Sequence, residues 1–274
     1  MMDIRLIALD LDGTVFDDEK QISPRTLEAL RAALDRGVIV LPATGRTLDG
    51  VPDAFRTMPG VRYALVSNGA SVMDLQTGEQ LVCQCFAPQT ARDLYHLTEP
   101  MGGMQCLFVA GDSFTTEANA RDNMDLVPPA LQPYFRKSRK VVPSMDEVLD
   151  RWPDKVEKFS TLYRSLEDRD AVWQAVAQQF PDVEITTSIE KNLELNAPGV
   201  NKGTGLMMLA RRLGLRPDQV MACGDSGNDL EMIRRAGLGV AMGNSTRPVL
   251  EAADYVTLDN NHDGVAAAIE KFVL

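Results

Sequence analysis

Two histidines and four cysteines are all that 274 residues offer a soft metal ion. Cys83, Cys85, Cys106 and Cys223 form no CxxC pair, and His96 and His262 sit near none of them in sequence. That excludes a zinc site of the usual ligand spacing. The cysteines read as small, half-buried side chains in a reducing cytosol, with Cys83 and Cys85 alternating along an expected strand and so facing one side. Basic charge is short as well: 28 Lys and Arg against 39 Asp and Glu leave a formal net charge of -11. A general nucleic-acid or membrane-surface binder is excluded, because both partners are polyanions. A local basic pocket for a small phosphorylated molecule is not. No run of about 18 apolar residues occurs, so no membrane span is expected. Met-Met-Asp-Ile-Arg lacks the basic stretch and apolar core of a signal peptide, which leads to the expectation of a cytoplasmic protein. Repeats and low-complexity tails are absent too.

What is present is an ordinary globular composition, 45% hydrophobic and 24% charged. The length allows one large domain or two smaller ones, and a core that needs no disulfide or metal. Arg5–Leu9 is an apolar run that leads straight into Asp10-Leu11-Asp12-Gly13-Thr14. Ser23-Pro24 is a helix start, Leu27, Leu30 and Leu34 follow at helical spacing, and Gly37 ends the helix. Val38–Leu41 is an unbroken apolar strand that stops at Ala43-Thr44-Gly45-Arg46. A further strand, Tyr63–Val66, stops at Ser67-Asn68-Gly69. This βαβαβ order implies a parallel sheet.

The pattern then changes. Residues 71–86 read as a hairpin turning at Thr77-Gly78. From about 82 to 195 the segments are a mixture of helices (89–99, 167–179) and strands (106–109, 156–163, 183–187, 192–195) punctuated by prolines. The α/β order returns with a helix over 202–213, a strand Val220–Cys223 ending at Gly224-Asp225-Ser226-Gly227-Asn228-Asp229, a helix over 230–236, strands over 238–242 and 254–258, and a closing helix over 264–272. The expectation is a doubly wound α/β core, residues 1–81 with 196–274, carrying an inserted α+β cap over 82–195 that reads the substrate.

Parallel strands end on one edge of their sheet, where ligands bind. Asp10/Asp12, Thr44-Gly45-Arg46 and Asp225/Asn228/Asp229 should therefore meet, together with Asn201-Lys202-Gly203 at a helix start. Their chemistry suits phosphoryl transfer. A carboxylate and a phosphate dianion repel, and Mg²⁺, which prefers oxygen ligands, removes that obstacle. Asp10, the Asp12 backbone carbonyl and Asp225 would supply the oxygens. Lys202 adds a compact positive charge, an unfavourable place for a cation unless it serves a ligand, since it opens a helix. The Thr44 hydroxyl and the Gly45 amide donate to phosphoryl oxygens. Asp10 attacks phosphorus, and Asp12 protonates the leaving oxygen and then deprotonates water. Arg46 either pins a loop or touches substrate. Asn228 and Asp229 cap the following helix, serve the site, or both. The basic segment Arg136–Lys140 is a solvated face or meets an anionic part of the substrate. His96 and His262 are structural or exposed.

Asp10-Leu-Asp12-Gly-Thr14, Thr44-Gly-Arg46, Lys202 and Gly224-Asp225-Ser-Gly-Asn228-Asp229 resemble, in order, the four motifs of the haloacid dehalogenase-like superfamily. Ser67-Asn68-Gly69-Ala70, Gly199-Val-Asn-Lys202-Gly203, Ala241-Met-Gly-Asn244 and His262-Asp263-Gly264-Val265 are similar to its Cof-type, sugar-phosphatase-like branch. The resemblance covers nearly the whole chain and is weakest over 87–182. It implies that Asn228 contacts substrate phosphate or the metal shell, and that Asp229 supports metal and lysine. The second aspartate of the first motif points to a phosphatase, since true dehalogenases lack it. The candidate phosphate and substrate contacts are Leu11, Thr44, Gly45, Arg46, Lys202 and Asn228. The expected cofactor is Mg²⁺, and the expected partner is a small phosphorylated metabolite, such as a sugar phosphate, pyridoxal phosphate or flavin mononucleotide. Neither nucleic acid nor membrane is expected, and the chain is expected as a monomer or small homo-oligomer. A phosphomutase or phosphoryl transferase using Asp10, or a non-catalytic phosphate-binding module, are the alternatives.

Overall fold

The computed structural model describes residues 3–274, so Met1 and Met2 of the N-terminal reading lie outside it. Leu6–Leu9, the apolar run ahead of Asp10, is a strand with all four side chains buried. Parallel strands flank it on both sides, Val220–Gly224 and Ile39–Pro42. Leu238–Ala241 and Tyr255–Val256 extend the sheet beyond Val220–Gly224, again parallel. The order is therefore 255–256, 238–241, 220–224, 6–9, 39–42. Strands this apolar are covered on both faces. On one face Leu6, Ala8, Leu41, Val220 and Ala222 pack with Leu206, Leu209, Met232 and Ile233 of the helices Lys202–Arg212 and Leu230–Arg235. The alternating Ile7, Leu9, Val40, Met221 and Cys223 are buried as well. The helix Pro24–Asp35 packs on the strand Ile39–Pro42 and on the helix Gly264–Phe272. Ser23 caps Pro24–Asp35 by accepting from the Thr26 amide, with Pro24 in the first turn, as the sequence suggests.

The strand Tyr63–Val66 departs from the expected pattern. It meets the parallel sheet at a single bridge, Ala43 to Leu65. Its full ladder is antiparallel to Ser71–Asp74, which pairs with Gln80–Cys83. That strand ends at Cys83, so Cys85 does not share a strand face with it. The shift has a simple cause: at Gln84 the chain enters a second compact unit. All four cysteines are free thiols.

Among the described residues the first unit comprises 3–45, 51–83 and 201–274, and the second 46–50 and 84–200. The short segment Arg46–Gly50, which the sequence reading keeps with the core, goes with the second unit. That unit is built on a six-stranded sheet in the order 184–186, 192–196, 156–162, 104–109, 112–116, 139–142. All its pairings are antiparallel except the last, 112–116 with 139–142. Along Val156–Leu162, Phe159 lies on one face, while Lys158 and Leu162 lie on the other. Leu162 joins Met104, Cys106, Phe108, Val127 and Phe135 in an apolar cluster. Helices Pro88–Thr98 and Leu166–Gln179 pack on each other. Several elements here escape the sequence reading, among them the helices Glu117–Asp122, Gln132–Ser138 and Met145–Arg151. They are one or two turns long, too short for apolar periodicity to register. Arg139 opens a strand against the rings of Phe135, Tyr134 and Phe108 (4.1, 5.2 and 5.5 Å), so the basic segment is not wholly a solvated face. The fold class is α/β: the first unit is a doubly wound parallel-sheet core, and the second is built on a mostly antiparallel sheet with helices. Among the described residues no helix is long and apolar enough to cross a membrane.

Candidate active site

The site grows from two neighbouring strand ends. Leu9 is in register with Cys223, and the Asp10 amide still donates to the Cys223 carbonyl at 3.0 Å. Asp10 is therefore the last residue held by the sheet. The chain then turns sharply, with Thr14 and Phe16 amides both returning to the Leu11 carbonyl (3.4 and 2.9 Å). Gly13 adopts φ +85°, and a Cβ there would lie 2.6 Å from Asp225 Oδ2. Only glycine permits both the left-handed backbone and that approach. Thr14 Oγ1 donates to Asp225 Oδ1 at 3.2 Å. The two strand ends are thus stitched directly together.

Lys202 arrives from another element. Asn201 caps the helix Lys202–Arg212 by accepting from the Thr204 amide, while Thr204 Oγ1 accepts from the Asn201 amide. Gly69, with φ +90°, packs against the Asn201 carbonyl, which any Cβ would strike. This close contact fixes where the helix begins, and hence where Lys202 points. Lys202 is fully buried. Its Nζ donates to Asp10 Oδ1 at 2.6 Å and to Asp229 Oδ1 at 2.7 Å. Asp229 Oδ2 accepts from the Asp225 and Ser226 amides, both at 3.1 Å. Both oxygens of Asp229 are therefore engaged. Asn228 donates from Nδ2 to Asn68 Oδ1 at 3.2 Å, and Ser67 and Asn68 both take left-handed backbone angles (φ 50° and 56°). The Thr44 carbonyl accepts from the Asn68 amide at 3.2 Å, which links this turn to the end of Ile39–Pro42.

Charge in the cluster is unbalanced. Asp10, Asp225 and Asp229 can present oxygens within 4.8 Å of one another, against one ammonium. Burial, and next the Asp229 charge, raise the Asp10 carboxyl well above the usual carboxylate range, against the pull of Lys202. The same two causes push Asp225 up to about 7. Burial works against the charge of Lys202, but Asp10 and Asp229 outweigh it and hold the ammonium above its ordinary value. An all-oxygen donor set with surplus negative charge fits a hard divalent cation. Since Asp229 is committed elsewhere, Asp10 and Asp225 are the carboxylates able to hold one.

The sequence-predicted residues do not all meet. Asp10, Lys202, Asp225 and Asp229 form one cluster, with Asn228 beside it. Asp12 pairs with Lys20 at 3.0 Å, both side chains well exposed. The Leu11 side chain is fully buried, so only its backbone is available to a ligand. Thr44 is buried at the end of its strand, its amide donating to the Leu65 carbonyl at 2.9 Å. Arg46 lies in the second unit, with its guanidinium 4.7 Å from the Tyr134 ring centre and donating to the Gly50 carbonyl at 3.1 Å. Sequence reasoning gave Thr14 no role of its own and missed Lys20. Thr14 was open to inference as the hydroxyl beside the paired aspartates. Lys20 carries no signal, being an isolated loop lysine.

An α/β sheet with buried carboxylates and a lysine at its carboxyl edge suits the chemistry of phosphoryl transfer. The sequence model of the haloacid dehalogenase-like hydrolases matches residues 7–269, and the chain belongs to that family. It is 32% identical over 277 residues to the 5-amino-6-(5-phospho-D-ribitylamino)uracil phosphatase YcsE of Bacillus subtilis, covering 100% of this chain and 97% of that one. Among solved structures, a haloacid dehalogenase-like hydrolase from B. subtilis superposes with a TM-score of 0.88 at 28% identity, covering 99% and 100% of the two chains. Another from Bacteroides thetaiotaomicron gives 0.78 at 29%, covering 98% and 99%. The protein is a phosphatase of this family.

Proposed function

We propose that the protein hydrolyses small phosphomonoesters, with the phosphate carried on a sugar or sugar-alcohol chain, through an aspartyl-phosphate on Asp10. The observation that carries this reading is the Lys202 ammonium held between Asp10 and Asp229 in a buried, oxygen-rich cluster. Asp10, Asp225 and the Asp12 carbonyl would hold Mg²⁺, which when bound supplies the positive charge that lets a carboxylate approach a phosphate dianion. Lys202 neutralises phosphoryl oxygens, and the Thr44 hydroxyl with the Leu11 and Gly45 amides donates to them. An Asp10 oxygen attacks phosphorus as the ester P–O bond breaks, and Asp12 gives its proton to the departing alcohol. Asp12 then takes a proton from water, which attacks the aspartyl-phosphate and releases inorganic phosphate. Asn228, beside the cluster, contacts the substrate phosphate, and Asp229 keeps Lys202 and the Asp225 loop in place.

The sugar-alcohol assignment draws on the B. subtilis relative, whose name puts the phosphate on a ribityl chain. The acidic balance of the chain supports a small-molecule substrate over a polyanion.

The test is hydrolysis of p-nitrophenyl phosphate with Mg²⁺ and with a chelator, beside Asp10→Asn, followed by a panel of phosphorylated sugars and sugar alcohols. Turnover that needs the metal and disappears in the variant is expected. Undiminished turnover in Asp10→Asn would remove the nucleophile assignment, and transfer of the phosphoryl group to an added sugar in place of water would make the enzyme a mutase or transferase.

A further inference from the structure

The turn that carries Asp12 is gripped from one side by three asparagines. Asn244 Nδ2 donates to the Gly13 carbonyl at 2.8 Å. Asn244 Oδ1 in turn accepts from the Asn260 amide at 3.1 Å, so both ends of this side chain are used and its orientation is set. Asn260 Nδ2 donates to the Phe16 carbonyl at 3.0 Å and to Asp18 Oδ1 at 3.2 Å. Asn261 exchanges two bonds with Asp18: Nδ2 donates to Oδ2, and Oδ1 accepts from the Asp18 amide, each at 3.1 Å.

The loop that holds Asn244 is tied to the other side of the site. The Met242 amide donates to the Gly224 carbonyl at 3.1 Å, and the Thr246 amide to the Asp225 carbonyl at 2.9 Å. Ser245 Oγ donates to the Gly224 carbonyl at 3.2 Å. One short loop, residues 242–246, therefore touches both strand ends: the Asp225 end by two backbone amides and the Ser245 hydroxyl, and the Gly13 turn by one amide side chain.

We propose that Asn244, backed by Asn260, is a positioning residue for the acid–base step, holding the Asp12-bearing turn in register with Asp225. The proposal rests on the reading of Asp12 as acid and base. Asn244 acts through the Gly13 carbonyl, one residue beyond Asp12, and its carboxamide oxygen is taken by the Asn260 amide. It therefore bears first on the turn that carries the Asp12 carboxyl, and so on proton delivery to the leaving alcohol. A misplacement of about 1 Å suffices for a large loss of rate.

Leaving groups distinguish this role from a merely structural one. p-Nitrophenolate departs with little help, whereas phenolate needs a proton. Asn244→Asp keeps the shape and the acceptor but loses the donor to Gly13, and Asn244→Ala removes both. For Asn244→Asp, kcat/KM with phenyl phosphate is expected to fall roughly 10- to 100-fold, with a much smaller fall for p-nitrophenyl phosphate. The inhibition constant of inorganic phosphate is expected to change much less than kcat/KM for phenyl phosphate. Asp12→Asn, assayed in parallel, should show the same leaving-group dependence in stronger form. If Asp12→Asn shows it and a folded Asn244→Asp does not, the positioning role is overturned and the Asp12 reading stands. If Asp12→Asn shows none, the acid–base reading fails, and this proposal with it. Equal losses on both substrates together with weakened phosphate inhibition would make Asn244 structural only.

Discussion

Lys202 and Asp229 form an ion pair 2.7 Å long in which neither side chain is reached by solvent. Asp10 completes the arrangement at 2.6 Å from the same ammonium. Removing the ammonium leaves two buried carboxylates without their cation. Lys202→Met should lower stability by about 3–5 kcal/mol, the usual cost of breaking a buried pair on one side. Turnover should fall at least about 100-fold, as on removing a charge that stabilises the transition state. Urea unfolding and steady-state assays of the same preparation check both. Loss of turnover with unchanged stability would mean that the carboxylates find protons at no cost.

Gly13 should accept no side chain. Gly13→Ala forces a left-handed backbone on an L residue and pushes a Cβ against Asp225. A loss of about 1–3 kcal/mol in stability is expected, with turnover falling further because the displaced group is a site carboxylate. Thr14→Val, which loses only the hydroxyl bond to Asp225, should be the milder change. Thermal melts and turnover of the two variants decide the order.

In the second unit, Lys158 and Glu194 pair at 2.9 Å with side chains 1% and 5% exposed. The Lys158 ammonium also lies 4.4 Å from the centre of the Phe108 ring. Lys158→Met and Glu194→Leu should each destabilise by about 3–5 kcal/mol, and the double variant by less than the sum, because neither charge is then left alone. Denaturant midpoints of the four proteins close the cycle. Strict additivity would show that the two charges are held by other neighbours.

Asp74 is nearly buried and receives Arg62 at 2.7 Å. The Arg62 hydrogen bond holds the Asp74 carboxyl below its ordinary 3.8. A depressed folded value stabilises the protein fully above 3.8, and the gain is lost as pH falls through the folded value. Asp74→Asn should therefore lower stability near neutral pH and flatten the decline below about pH 4, where the unfolded carboxylate takes up protons first. Melting temperatures across that range for both proteins provide the check. Parallel curves would show that other carboxylates set the acid limb.

Much of the core was legible because its signals are local. The apolar strands before Asp10, Thr44 and Asp225 each announce a buried strand ending at a polar group, and the Ser23-Pro24 start marks its helix to the residue. Tyr63–Val66 was readable as a strand but not as an antiparallel partner, since pairing direction depends on how a neighbour returns. The short helices between 117 and 151 left no periodic trace, and Arg139 could not be read as stacked on aromatic rings, because Phe108 approaches it from 31 positions away in the chain.

For the site, residue types and spacing alone determined which groups could do phosphoryl chemistry: the paired aspartates, the lysine at a helix start and the acidic loop after Val220–Gly224. Which of them meet in one cluster was decided by the tertiary structure. Only there does Gly69 seat the start of the Lys202 helix, Asp229 spend both its oxygens on Lys202 and the 225–226 amides, and Asn244 reach back 231 positions to the Gly13 carbonyl. Distances of about 3 Å between groups so far apart in sequence depend on packing, and packing is a property of the whole fold.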